Sequence, residues 1–246
     1  MKKYELTNET KKIGTITLHR IRALVAFADV DVGELGGWVE KESNIDQDGD
    51  AWVSDDAIVS GDARVYGNAW VYDDAIVSGD ARVYGNAWVY DDARVSGDAI
   101  VSGDARVSGY AWVYDGARVS GDARVSGDAR VSGDARVSGD AIVSGDARVS
   151  GDARVSGNAA VISSTSYLCV CPIGSRDDAL TFTRDKNGCI FAKVGCFMGN
   201  IAEFRAKVKE THGENIHAKV YLLAAQLAEE RIDTTPIADD KGDGDK

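Results

Sequence analysis

No apolar stretch in this chain reaches the roughly 18 residues that a membrane-spanning helix needs. The opening residues, MKKYELTNETKK, lack the apolar core of a secretion signal. Both absences point to a cytoplasmic protein. In that compartment the four cysteines, Cys169, Cys171, Cys189 and Cys196, are expected as thiols rather than disulfides. Their spacing also lacks the paired C-x₂₋₄-C pattern of a four-thiolate zinc site, so no metal is expected. Histidine is scarce, with His19, His212 and His217 only. Residues 51–164 contain no His, Lys, Glu or Thr at all. That stretch carries ten Arg against seventeen Asp, hence a net −7, within −12 for the whole chain. So acidic a surface has no general attraction for nucleic-acid phosphate, although it can bind proteins that do.

What the stretch does contain is a repeat. Nineteen six-residue units run from Ala51 to Ser164, each beginning Ala-x-Val. Thirteen of them end in Gly-Asp or Gly-Asn, a turn signal at a fixed place in every such unit. The four residues before the turn alternate: Ala63 and Val65 point in, Arg64 and Tyr66 point out. A strand this short cannot bury its face alone and must stack on copies of itself. Residues 51–68 match residues 69–86 except at Ser54, so three hexads make one coil with three sides. Six coils at about 4.8 Å give a rod roughly 29 Å long with a thin Val and Ala core.

The spacing of an aliphatic residue and a small residue four places later, as in Val65 and Ala69, resembles the hexapeptide-repeat proteins. That resemblance implies a left-handed parallel β-helix. The ADV at 28–30, the GGWV at 36–39 and the Gly-Asp-Ala-Trp-Val at 49–53 are similar to the start of the YdcK-like group of bacterial and phage hexapeptide proteins. LTFTRDKNG at 180–188, GCF at 195–197 and EFRAKVKETHGEN at 203–215 resemble a module of phage-encoded members. The implied fold class is mainly β: a three-sided β-helix of about six coils with an N-terminal β cap and a small C-terminal α+β module.

The expected organisation has four parts. Residues 1–50 form a hairpin and cap, with Tyr4–Leu6 pairing Thr15–Arg22 and Trp38 and Val39 plugging the rod. Residues 51–164 form the β-helix. Residues 165–232 form the α+β module, and residues 233–246 a disordered acidic tail. In the module, Asn187-Gly188 marks a hairpin, and Asn200 with Glu203 a helix capping box. Ile216, Val220, Leu223 and Leu227 lie at helical core spacing.

Many hexapeptide proteins are acyltransferases or zinc-dependent anhydrases, and that resemblance would require His on the helix or on a loop ejected from it. Here the three His lie outside the repeat, and no loop interrupts it. The recurring Val-Ser-Gly serines, such as Ser60 and Ser78, have no His partner. The expectation is therefore a chain without enzymatic activity and without a cofactor.

The outward residues are informative instead. Trp52, Trp70 and Trp88 form a column on one face, beside Ser54, Tyr72 and Tyr90, and Arg106 continues it. The adjoining corner reads Asp55-Asp56, Asp73-Asp74 and Asp91-Asp92, a ridge of carboxylates that needs a compensating cation, neighbouring Arg or a basic partner. Aromatics with Arg are the residue types that dominate interfaces. The leading expectation is a phage-encoded, non-catalytic binding or scaffold protein that engages a protein partner through this face, with inhibition of a host defence or DNA-acting protein as its sharper form. Alternatives are a self-assembling homo-oligomer, a binder of a nucleotide or sugar, and an acyltransferase-like enzyme. Direct binding to nucleic acid or membrane is not expected. On the third face Arg118, Arg136 and Arg154 stack, with nearby Asp expected to neutralise them.

Overall fold

The computed structural model describes residues 2–237. The chain opens with a hairpin of β1 (Tyr4–Ile13) and β2 (Ile16–Ala23), paired antiparallel. The polar run after Leu6, expected as a turn, extends the first strand instead. The true turn lies between Ile13 and Ile16, where Gly14 takes a positive φ of 59°. β3 (Leu35–Val39) pairs with β2 on one side and runs parallel to the rod on the other. Its Trp38 and Val39 sit in register with Ile58 and Val59, and Ile45 bridges Val65. The non-repetitive segment thus supplies rungs of the rod before the repeated sequence begins.

The hexads become nineteen two-residue strands, from β4 (Trp52–Val53) to β22 (Ala160–Val161). Each pairs in parallel with the strand eighteen residues away, as in Trp52 with Trp70, Ile58 with Ile76 and Arg64 with Arg82. Three sheets result, wound as a left-handed solenoid of about seven turns. The extra turn beyond the expected six comes from the rungs of the cap.

Every inward Ala and Val from Ala51 to Val155 is fully buried. Burying one Val side chain contributes about 1.5–3 kcal/mol, and the columns repeat that gain at every rung. Backbone donors are satisfied between coils, as when Trp70 donates its N–H to Ala87 at 2.9 Å. The corners need glycine because a positive φ coincides with close stacking. A Cβ added to Gly121 (φ +69°) would lie 2.9 Å from the backbone nitrogen of Gly139.

The module is a four-stranded antiparallel sheet with two helices. Its strands are β23 (Tyr167–Ile173), β24 (Asp178–Arg184), β25 (Ile190–Val194) and β26 (Phe197–Asn200), in that order across the sheet. α1 (Ile201–His212) begins with the expected capping box, in which Asn200 accepts from the Glu203 N–H and Glu203 from the Asn200 N–H. α2 (Ile216–Arg231) follows Gly213. A second core gathers Leu180, Phe182, Phe204, Tyr221 and Ala225.

One expectation about α2 is reversed. Its core face is Ala218, Tyr221, Ala225 and Ala228, while Ile216, Val220, Leu223 and Leu227 are exposed. Both sets have helical spacing, so periodicity alone could not choose between them. Small alanines let the helix lie close to the sheet, and Tyr221 fills the remaining space against Phe204.

The module docks on the last coils of the rod. Ala159 bridges Asp185, the Arg154 N–H donates to Thr181 Oγ1 at 2.9 Å, and the Tyr167 hydroxyl donates to the Arg148 carbonyl at 2.6 Å. Residues 233–237, the described start of the expected disordered tail, are hydrogen-bonded instead. The buried Arg184 guanidinium donates to the carbonyls of Asp233 at 2.7 Å and Thr235 at 2.5 Å. Residues 238–246 of that tail lie outside the described residues. No helix among the described residues is long and apolar enough to cross a membrane.

Candidate functional site

The aromatic column of the rod divides in two. Trp52 is fully buried, which corrects its assignment to an exposed binding face. An outward position in the first coil is outward only from the rod, and the N-terminal segment folds over it. Phe27 and Tyr4 pack edge-on against its ring, at 5.4 Å and 6.3 Å between centroids. Its indole N–H has no hydrogen-bond partner among the described residues. Trp70 is half-buried and Trp88 exposed. Tyr72 and Tyr90 stack in parallel at 5.0 Å, and Tyr72 meets Trp88 edge-on at 6.2 Å. The Arg106 guanidinium lies 5.1 Å from the Trp88 ring centre, within cation–π range. Burial first, then the neighbouring Tyr90 and the carboxylates of Asp73 and Asp91, push the Tyr72 hydroxyl up to about 12. The surviving face is therefore Trp70, Tyr72, Trp88, Tyr90 and Arg106.

The carboxylate ridge is compensated in a way the sequence reading missed. Asp55, Asp73 and Asp91 occupy the slot that holds Gly in most hexads, with φ of 55°, 58° and 57°. Each reaches down one coil. Asp91 Oδ2 accepts from the Gly109 N–H at 3.0 Å, and Asp73 Oδ2 from the Asp91 N–H at 3.4 Å. Asp55 Oδ2 makes a longer contact of the same kind with the Asp73 N–H, at 3.5 Å. Backbone donors thus supply the positive potential. Asp56 accepts from the Trp38 indole at 3.2 Å. Asp74 and Asp92 face solvent beside them.

The module holds a cavity of about 330 Å³ that sequence reasoning did not single out. Phe197, Phe204 and Tyr221 give it aromatic walls, while Cys196, Lys207, Arg176 and His212 bring polar groups to it. α1 places Lys207 and His212 five residues apart, and the 3₁₀ turn Gly174–Arg176 brings Arg176 from the far side. His212 is half-buried, with ring centres of Tyr221 and His217 at 5.5 Å and 5.9 Å. Neither of its imidazole nitrogens hydrogen-bonds to another described residue. As a residue of the last turn of α1, His212 also suits the negative end of the helix dipole. Only tertiary packing reveals the cavity in front of it, because strands and helices from residues 175 to 221 converge there. Among the described residues no cluster of three or more His, Cys, Asp or Glu could hold a metal ion.

Comparison with known proteins bears on this geometry. The family model described as YdcK beta solenoid repeat matches in eight overlapping or adjacent segments: 57–73, 63–79, 75–91, 87–103, 101–115, 117–133, 129–145 and 147–163. Over 82 residues the chain is 33% identical to a protein of Escherichia coli (strain K12) named "Uncharacterized acetyltransferase YdcK". That match covers 27% of this chain and 25% of the relative, so the chain spans about a quarter of the length of the curated protein it matches. A relative named as an acetyltransferase overturns the expectation of a chain without enzymatic activity. That expectation rested on the absence of His from the hexads, and a base carried outside the rod escapes such a test. Along residues 57–163 the rod of this chain is similar to the YdcK beta solenoid repeat.

Proposed function

We propose that this chain is an acyl-transferring enzyme that uses the solenoid as scaffold and the cavity around His212 as its reaction site. The observation that carries this reading is His212 itself: an imidazole on an aromatic-walled cavity, its nitrogens without a hydrogen-bond partner among the described residues. The name of the Escherichia coli relative, an uncharacterized acetyltransferase, favours the same class. Acyl transfer from a thioester needs a base for the proton of the attacking amine or hydroxyl. In this reading the nucleophile attacks the carbonyl carbon while His212 takes its proton. The tetrahedral oxyanion then collapses, the C–S bond breaks, and the leaving thiolate regains a proton from the imidazolium. Arg176 and Lys207 supply positive charge for the oxyanion, and Phe204 and Tyr221 keep water from the thioester. Lys207 is shared with Glu210, at 3.0 Å, so its charge reaches the cavity partly screened.

The test is turnover of acetyl-coenzyme A by the full chain with a panel of amine and hydroxyl acceptors, followed by mass spectrometry of the acceptors. His212→Ala is expected to lower the rate by about 10²–10⁴-fold. Unchanged turnover in that variant would move the reaction elsewhere. No transfer to any acceptor by the intact chain would count against the class.

A second reading concerns a protein partner at the aromatic-acidic face. It is favoured by one observation: the module docks at the opposite end of the rod and leaves Trp88 41% exposed beside the Tyr72 and Tyr90 stack. A host protein or a second copy of the chain would bury these rings beneath the Asp ridge. A paired Trp88→Ala and Tyr90→Ala variant should lose such a complex in sedimentation. A complex that survives both substitutions removes this face from consideration.

A further inference from the structure

The arginine column on the third face is only partly ion-paired among the described residues. Arg118, Arg136 and Arg154 lie on successive rungs in strict register. Of the three, only Arg154 forms an ion pair among the described residues, with Asp178 at 3.1 Å. Like charges on facing rungs, about 4.8 Å apart, repel one another. The two sides of the column differ. One side is a groove of about 200 Å³ with Asp134 and Asp152 at its wall. The other is a groove of about 300 Å³ lined by Arg136, Arg154, Lys193, Ser138, Ser156 and Gly195, with no carboxylate.

The module creates this second groove. Thr181 accepts from the Arg154 backbone at 2.9 Å and so fixes β24 against the last arginine rung. Lys193 stands opposite Thr181 on β25. Lys193 is half-buried and has no hydrogen-bond or ion-pair partner among the described residues. Three cations and two hydroxyls therefore surround one concave space in a chain of net charge −12. Guanidinium forks at rung spacing match the oxygens of adjacent phosphate groups, which they can engage in pairs. Gly195 lines both this groove and the cavity in front of His212.

We infer that the groove between the rod and the module binds the phosphate groups of a phosphorylated small molecule, with Arg136, Arg154 and Lys193 as the anion ligands and Ser138 and Ser156 as hydroxyl donors. The shared Gly195 places such a ligand's remaining, less polar part at the His212 cavity. This last step rests on the acyl-transfer reading, while the anion site does not.

The experiment is titration calorimetry of the full chain with inorganic pyrophosphate at low ionic strength. The variants are Arg136→Ile with Lys193→Gln together, and His212→Ala alone. Arg136→Ile keeps the fold, since Ile100 and Ile142 occupy the same slot in other hexads. Binding by the intact chain, weakened at least about tenfold in the double variant and unchanged in His212→Ala, supports the site. No binding by the intact chain, or equal binding by the double variant, overturns it. Pyrophosphate binding without any acyl turnover leaves the groove standing and sinks the acyl-transfer reading. Turnover with an unchanged KM in the double variant does the reverse.

Discussion

Asp91 offers the sharpest test of why some corners of the rod carry Asp where others carry Gly. Its backbone takes a φ of +57°, and its carboxylate accepts from the Gly109 N–H of the next coil at 3.0 Å. Alanine in its place keeps the left-handed backbone, which costs an L-residue roughly 1–2 kcal/mol, and loses the acceptor. Asp tolerates that backbone better than Ala, so only part of the strain is new, roughly 0.5–1 kcal/mol. The lost hydrogen bond adds about 0.5–1.5 kcal/mol, at the lower end because the corner is exposed. Relief of repulsion from Asp73 returns a few tenths. Asp91→Ala is therefore expected to cost about 1–2 kcal/mol. Asp91→Asn retains both the backbone tolerance and an acceptor oxygen, and should stay within about 0.5 kcal/mol. Asp91→Gly relieves the backbone but loses the acceptor, and should fall between them. The assay is urea unfolding followed by circular dichroism. Midpoints are compared only where the slopes agree, since solenoids need not unfold in two states. An Ala variant as stable as the Asn variant would refute the reasoning.

Three further outcomes follow from particular contacts. Trp52→Ala should cost about 3–5 kcal/mol, as expected for a buried ring, whereas exposed Trp88→Ala should cost less than about 1 kcal/mol; equal losses in thermal melts would contradict burial of Trp52 beneath the N-terminal cap. Arg184→Ala removes the donors that hold the carbonyls of Asp233 and Thr235, at a cost of about 2–4 kcal/mol, and should speed hydrogen exchange at 233–237; unchanged exchange would show that other contacts fix this segment. The Tyr72 hydroxyl, raised to about 12, contributes stability that is full below the ordinary tyrosine value near 10 and is lost as pH rises through about 12; a tyrosinate absorbance titration in which Tyr72→Phe removes only an ordinary component would contradict this.

The rod was legible because its evidence is local and repeated. The inward Ala and Val positions from Ala51 to Val161 recur without exception, so the core of the rod left no tertiary choice to make. The capping box at Asn200 was legible for the same reason, since both of its partners lie within one turn. The face of α2 was not. Two stripes at helical spacing competed there, and the fit of Ala218, Ala225 and Ala228 to the sheet decided between them. Trp52 misled for a related reason: its pattern marks it as outward, and what covers it comes from residues 4 and 27, far along the chain. The His212 cavity and the groove at Lys193 were out of reach altogether. Each joins residues whose positions depend on how β24 and β25 dock, and no spacing encodes that.

By itself, then, the sequence determined the solenoid, its three sides, its register and its aliphatic core, because a six-residue alternation can bury its apolar face only by stacking on itself. Tertiary structure alone decided which outward side chains stay outward. It turned Trp52 into core, gave the Asp corners their backbone partners, and left Arg136 and Lys193 facing one groove. Contacts between the rod and its flanking segments are not repeated, and residues distant in sequence share a surface only once the chain has folded.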